Sequence, residues 1–363
     1  MSKDEVDEVN KALRKKKTLV KRVPSDYLNT GSTMLNLLLT GRSKGGFIKG
    51  KYYFLVGDSD SGKTFLSLTC LAEASINEHF DDYRFIFDDV EGGALMDLTK
   101  FFGTKMAERI ESPGGDGVNS STIEEFYFHV DDAIKDGRPF IYILDSMDAL
   151  SSEDEISKFK EQKTAYRKGK ESTGSYGDGK AKKNSSNLRK LLAPLDKSKS
   201  ILIIINQTRD DIGKKFGFGD KKTRSGGKVL KFYASGEMWS SVKGMITKDV
   251  KGKRHNVGIY CELTVKKNRI TGKKGKITIP IYHSYGMDDI GSCIKYLVEA
   301  GHWKGNKLET RVIAPEFDYT GSVQELAKWI EENNKQQKLK NIASAVYKAI
   351  EESLAIKRKP RYE

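Results

Sequence analysis

The stretch "FLVGDSDSGKTFLSL", residues 54–68, constrains this chain more than any other. Phe54-Leu55-Val56 reads as a buried strand, and after Lys63-Thr64 the apolar residues recur at helical spacing. Between them, Gly57, Asp58, Ser59, Asp60, Ser61, Gly62, Lys63 and Thr64 match G-x-x-x-x-G-K-[ST], with Phe65 opening the helix proper. The glycines let backbone N–H groups converge on one point, and the helix adds the positive end of its dipole there, so the natural occupant is a polyphosphate. Lys63 would reach the β- and γ-phosphates and the Thr64 hydroxyl would ligate Mg²⁺. An ordinary Gly/Ser turn does not explain a lysine placed after the second glycine. Asp58 and Asp60 are unusual in an anion-binding loop; they are expected to point outward and to weaken nucleotide affinity.

The surrounding pattern alternates strands with helices, which implies a mostly parallel α/β sheet. Strands are expected at 83–88, in "PFIYILD", in "SILIIINQT", and near 228–234, 257–266 and 276–283, the last two forming a hairpin around "NRITGKKGK". "PFIYILD" is nearly all apolar, as a strand buried on both faces should be. Helices are expected near 32–40, 63–79, 94–103 and 121–136, and over most of the final sixty residues, with turns at "GHWKGNK" and "APEFDYTG". Residues 1–20 read as a charged helical arm. A length of 363 residues suggests about two domains, or one large one with attachments. There is no run of ~18 apolar residues to span a membrane, and the N-terminal stretch lacks the apolar region of a secretory signal. Cys70, Cys261 and Cys293 have no metal-ligand spacing and read as buried thiols in a reducing compartment.

Asp145 ends the "IYILD" strand, where it could hold Mg²⁺ through its water shell; a strand-end cap is the plain alternative. Beyond the second strand, Glu91, Asp88 and Asp89 compete for the role of a base that orients and deprotonates an attacking water. The net charge is +14, from 64 Lys and Arg against 50 Asp and Glu. A surplus of that size favours a polyanionic partner. Two basic, Gly-containing segments follow strand ends: residues 158–184, with Lys180, Lys182 and Lys183, and residues 208–228. Both read as long loops on the ligand-binding edge of the sheet. Lys214 and Lys215 supply charge in the second, and Ile212, Phe216 and Phe218 could insert between or stack on bases.

Taken together, the phosphate loop, "FDDVEGGAL", "IYILDSMDAL", "IIINQTRDDIG", "GGKVLKFYAS", "VKKNRITGKKGK" and "AGHWKG" resemble the RecA-type strand-exchange recombinases, in that family's order over about residues 28–304. "GGKVLKFYAS" is far more specific than a phosphate loop. The divergence and the substituted loops look like phage-encoded members. The resemblance implies a RecA-like P-loop ATPase core with a central, mostly parallel twisted sheet. It places an oligomerisation arm at 1–27, the core at 28–300 with DNA-binding loops at 152–186 and 208–227, and a small helical region at 301–363.

By position, the resemblance makes Glu91 the water-activating residue and Gln207 the γ-phosphate sensor that relays nucleotide state to the second DNA loop. Arg209 and the Gly226-Gly227 pair fall near DNA phosphates in that loop, Arg224 is a further DNA-binding candidate in it, and Ile212 matches the residue wedged between base triplets. Lys267 and Arg269 match cations that reach a neighbour's ATP, and Phe232 matches an interface aromatic. The cofactors implied are ATP and Mg²⁺. The partners implied are single-stranded DNA, homologous duplex DNA and further copies in a helical filament, with a single-strand-binding protein or loader as a candidate addition. The compartment implied is the cytoplasm of a bacterial or phage-infected cell. Departures are a longer and more basic first DNA loop, Glu237 where the family tends to be basic, Asp210 and Asp211 in the second loop, and "IKRKPRYE" in place of an acidic tail. A ring helicase of the same fold, or a non-catalytic ATP-binding accessory protein, are the alternatives of other classes.

Overall fold

Four apolar runs, each buried from end to end or nearly so, build the centre of the molecule. The computed structural model describes residues 22–169, 179–210, 222–224, 228–306 and 310–359. In chain order, a small antiparallel pair, β1 (Tyr27–Leu28) and β2 (Phe47–Ile48), precedes the phosphate-loop strand β3 (Tyr52–Gly57). Then come β4 (Arg84–Asp89), β5 (Ile110–Glu111), β6 (Phe140–Asp145), β7 (Ile201–Asp210), β8 (Lys222–Arg224), β9 (Gly236–Val250), β10 (Lys253–Asn268), β11 (Gly275–Tyr282) and β12 (Gly286–Met287). The main sheet has the order β12-β11-β10-β9-β3-β7-β6-β4-β5, with β8 paired to the outer end of β7. Its half from β9 to β5 is parallel and the rest antiparallel. This is the mixed α/β architecture with a mostly parallel core that the alternation of strands and helices implied.

Successive residues of a strand point to opposite faces, and the core divides accordingly. Tyr53, Leu55, Phe85, Phe87, Ile141, Ile143, Ile203 and Ile205 face one layer, covered by the helix Lys63–Ser75 through Leu66 and Leu71. Tyr52, Phe54, Val56, Tyr142, Leu144, Leu202 and Ile204 face the other, covered by the helices Ile123–Lys135 and Gly179–Ser198. A third cluster joins the helices Thr33–Thr40, Asp289–Glu299, Val323–Glu332 and Gln336–Leu354 through residues such as Leu37, Ile294, Leu297 and Leu326.

Several expectations change. Residues 158–167 and 179–184, read as parts of a long loop, belong to the helices Glu153–Arg167 and Gly179–Ser198, with 168–169 in a turn and 170–178 outside the described residues. The overlooked signal is a capping box: Ser152 Oγ accepts from Glu155 N at 3.2 Å and Glu155 Oε2 accepts from Ser152 N at 3.0 Å. Lys, Glu, Gln and Ala then supply helix propensity without any buried face. Residues 228–233 form a short helix rather than a strand, because Leu230 and Ala234, one turn apart, both bury against the second layer. Strand β9, absent from the sequence reading, leads out of it. The helix expected at 94–103 shrinks to Leu98–Phe102, with a turn of helix at Thr104–Ala107. The last sixty residues also contain a three-stranded sheet of β13 (Lys304–Gly305), β14 (Val312–Ala314) and β15 (Tyr319–Gly321). The N-terminal arm lies outside the described residues.

Because the helix Glu153–Arg167 has no buried residue to hold it, its cap matters more than usual. Ser152→Ala should weaken its first turn by about 1 kcal/mol, read as faster amide exchange at Ile156 to Lys160. Unchanged exchange there would contradict this account.

Candidate nucleotide and nucleic-acid site

The parallel strands end level along one edge. Gly57 lies beside Gln207 of β7 and Ser240 of β9, and Asp89 lies beside Asp145. Gly57 to Thr64 turns over at that edge, with Asp60 and Gly62 at positive φ, 57° and 85°. A Cβ on Gly62 would stand 2.6 Å from Ile281 Cδ1, so both conformation and space call for glycine there. Ser61 Oγ lies 2.7 Å from Ser240 Oγ beneath the loop and donates to the Asp58 carbonyl at 2.6 Å.

Lys63 is buried and donates Nζ to that same carbonyl at 2.5 Å. Burial lowers its ammonium below the ordinary lysine range, and Asp145, Glu91, Asp58 and Asp60 oppose the shift. Thr64 Oγ1 donates to Asp145 Oδ2 at 2.5 Å. Burial pushes the Asp145 carboxyl up to about 6; the Thr64 bond opposes this, while Glu91 and Asp89 reinforce it. A hydroxyl and a carboxylate side by side, at the start of a helix, form an oxygen donor set for a hard divalent cation that keeps water and phosphate as its other ligands. Among the described residues no three His, Cys, Asp or Glu side chains are grouped to hold a metal by themselves. The donors present therefore fit Mg²⁺ carried with a polyphosphate.

The three candidate bases part company. Asp88 is fully buried and accepts from Ser120 N at 2.8 Å, Ser120 Oγ at 2.6 Å and Tyr142 OH at 2.6 Å. Asp89 accepts from Gly93 N and Ala94 N, both at 3.1 Å. Glu91 is exposed at the strand-end edge, where its Oε1 accepts from Ser146 Oγ and from Gln207 Nε2 at 3.1 Å. Gln207 N in turn donates to Asp148 Oδ2 at 2.5 Å. Ser146 and Asp148 were not singled out in the sequence, although both sit just past the strand that ends in Asp145.

Asp58 does not point outward. Its Oδ1 accepts from Thr208 Oγ1, on the neighbouring strand. Ser59 and Asp60 are exposed, and Phe65 packs on Phe101 and Phe102 with ring centroids 5.5 and 4.8 Å away. No local signal points to Thr208; only the adjacency of β3 and β7 brings it to the loop.

Lys267 and Arg269 lie at the opposite edge of the sheet. Arg269 N donates to Ser235 O, and Ser235 N to Tyr52 O, each at 2.8 Å, at the start of β3. Gly57 is five residues further along, roughly 16 Å at about 3.3 Å per residue. Lys267 Nζ donates to the carbonyls of Lys231 and Phe232 at 2.6 and 2.7 Å, and Arg269 Nη2 to that of Phe232 at 2.6 Å. The Phe232 ring beside them is 63% exposed. Glu237 is fully buried nearby, accepting from Trp239 Nε1 at 2.9 Å.

Of the nucleic-acid candidates, Arg209 and Arg224 belong to the β7–β8 ladder, in which Thr208 faces Arg224 and Arg209 faces Thr223. Ile212, Lys214, Lys215, Phe216, Gly226 and Gly227 lie outside the described residues. Lys180 pairs with Glu155 at 3.0 Å and Lys183 with Glu124 and Asp154, so both brace the helices, whereas Lys182 is exposed. Above the same edge, β9 and β10 continue as a two-stranded ribbon whose outer part carries Lys248, Lys251, Lys253 and Arg254, all exposed. Among the described residues no helix is long and apolar enough to cross a membrane.

The family profile described as RecA N-terminal domain matches residues 6–288. Similar curated proteins include Protein RecA of Chlorobaculum parvum, 30% identical over 288 residues, covering 76% of this chain and 70% of that one. Protein RecA of Thermus aquaticus is 28% identical over 280 residues, covering 76% and 72%. With a strand–loop–helix phosphate site at the strand-end edge and a family match over most of its length, the chain belongs to the RecA family.

Proposed function

We propose that the protein is an ATP-dependent DNA recombinase that assembles head to tail on single-stranded DNA and pairs it with homologous duplex. The observation that carries this reading is the separation of Lys267 and Arg269 from the phosphate loop of the same copy, by the length of strand β3. Cations turned away from their own site make sense if they complete the site of the next copy. The exposed Phe232 ring beside them supplies apolar contact for such a junction.

In this reading the N–H groups of Gly57 to Thr64 and the Lys63 ammonium bind and orient the triphosphate, and Thr64 and Asp145 hold the cation. Mg²⁺, when bound, supplies charge neutralisation at the phosphate oxygens. Glu91 takes the proton of the attacking water at its carboxylate, oriented by Ser146 and Gln207. Lys267 and Arg269 of the adjoining copy supply positive charge from the far side. Gln207, at the foot of the β7–β8 stem, passes the state of the site to the residues that follow. The protein would work in the cytoplasm of a bacterial or phage-infected cell.

Lys63→Ala and Arg269→Ala should each abolish DNA-stimulated ATP turnover. Mixed together they should recover part of it, because a junction that takes its phosphate loop from one variant and its Arg269 from the other is intact. No recovery on mixing, or full turnover by Lys63→Ala, would refute the shared site. Phosphate-directed binding also requires that log K for a single strand fall with log[salt] by about 0.7 per phosphate contacted. A salt-independent affinity, measured by anisotropy, would exclude backbone gripping.

A further inference from the structure

The phosphate loop is attached to strand β7 at a second point besides Gln207. The register that sets Gly57 beside Gln207 brings the next residue of each segment together, and Thr208 Oγ1 donates to Asp58 Oδ1. Thr208 is also the first rung of the β7–β8 ladder, opposite Arg224. We propose that Asp58 is a positioning residue whose carboxylate holds the foot of the β7–β8 stem, so that the posture of the phosphate loop sets that of the stem; this rests on the reading of the site given above.

Three observations favour it. First, Asp58 is gripped at both ends: its carbonyl accepts from Lys63 Nζ and Ser61 Oγ, and its side chain from Thr208. One residue with a short side chain lies between the lysine that meets the phosphates and the strand that leads to the second basic segment. A displacement of Lys63 or of the loop passes to Thr208 with little slack. Second, Gln207 and Thr208 are neighbours on one strand whose side chains point to opposite sides. Gln207 reaches Glu91 and Thr208 reaches Asp58. Attachment at two points fixes the rotation of a strand end as well as its position. Third, the role accounts for an acidic residue in a loop built to bind anions. A carboxylate gives a stronger hydrogen bond than a neutral acceptor, and it is turned onto the stem.

The test compares affinity for a fluorescein-labelled oligothymidylate with and without saturating non-hydrolysable ATP analogue and Mg²⁺, and reads the ratio of the two dissociation constants. Saturation removes differences in nucleotide affinity among variants. Thr208→Val and Asp58→Ala should each cut the ratio about tenfold, which corresponds to about 1.4 kcal/mol. The double variant should cut it no further, as expected when two residues share one contact. Asp58→Asn, which keeps an acceptor, should retain most of the ratio. A wild-type ratio in Thr208→Val, or effects of the two single variants that multiply in the double, would overturn the proposal. A ratio of one in the unsubstituted protein would instead remove the reading of the site on which it rests.

Discussion

Strand β3 is paired on both sides and buried on both faces, and that placement governs the rest of the molecule. With β7 on one flank and β9 on the other, the chain leaving Gly57 can emerge only at the strand-end edge. There it meets whatever β7 and β6 deliver. Asp145, Glu91, Gln207 and Thr208 come from distant parts of the sequence, yet all reach the loop because their strands lie in register with it. The helix after the loop then has one direction open to it, down over the first apolar layer, so its N-terminus faces the same point.

Electrostatics at that edge is a balance of crowded charges. Lys63 is surrounded by Asp145, Glu91, Asp58 and Asp60, whose charges oppose the lowering that burial imposes on its ammonium. Asp145 pays for its position with a carboxyl held more readily in the protonated form. The Glu91 carboxylate is fixed by two donors, whereas the Asp88 oxygens are taken by Ser120 and Tyr142 and those of Asp89 by the backbone of its own loop. A polyphosphate with its cation is the natural complement, because it satisfies Lys63 and the two oxygen donors together.

How much of this could be read from residues alone depended on whether the signal was local. The phosphate loop, the four central strands and the candidate acids announce themselves, because a two-faced buried strand and a glycine loop have compositions of their own. Segments whose structure is decided by distant packing did not. Lys228–Tyr233 carries strand-like residues, yet the burial of Leu230 and Ala234 against the second layer makes it a helix. The helix Glu153–Arg167 was legible only in its cap, since charged residues give no periodicity to follow. Thr208 and Asp58 meet through strand order, which no spacing in the sequence records.

The placement of Lys267 and Arg269 at the far end of β3 has a geometric corollary. If the phosphate loop of each copy meets one neighbour while its Lys267 and Arg269 meet another, the junction joins unlike faces and is not a two-fold one, in which each copy would present the same patch to the other. Copies joined through it would instead form a row with direction, and its two ends would differ in chemistry. One terminal copy would display glycine-rich loops lacking their cations, the other lysine and arginine without a phosphate to meet. Growth and shedding at such termini are different reactions, so a polymer of this chain would carry an arrow along its length.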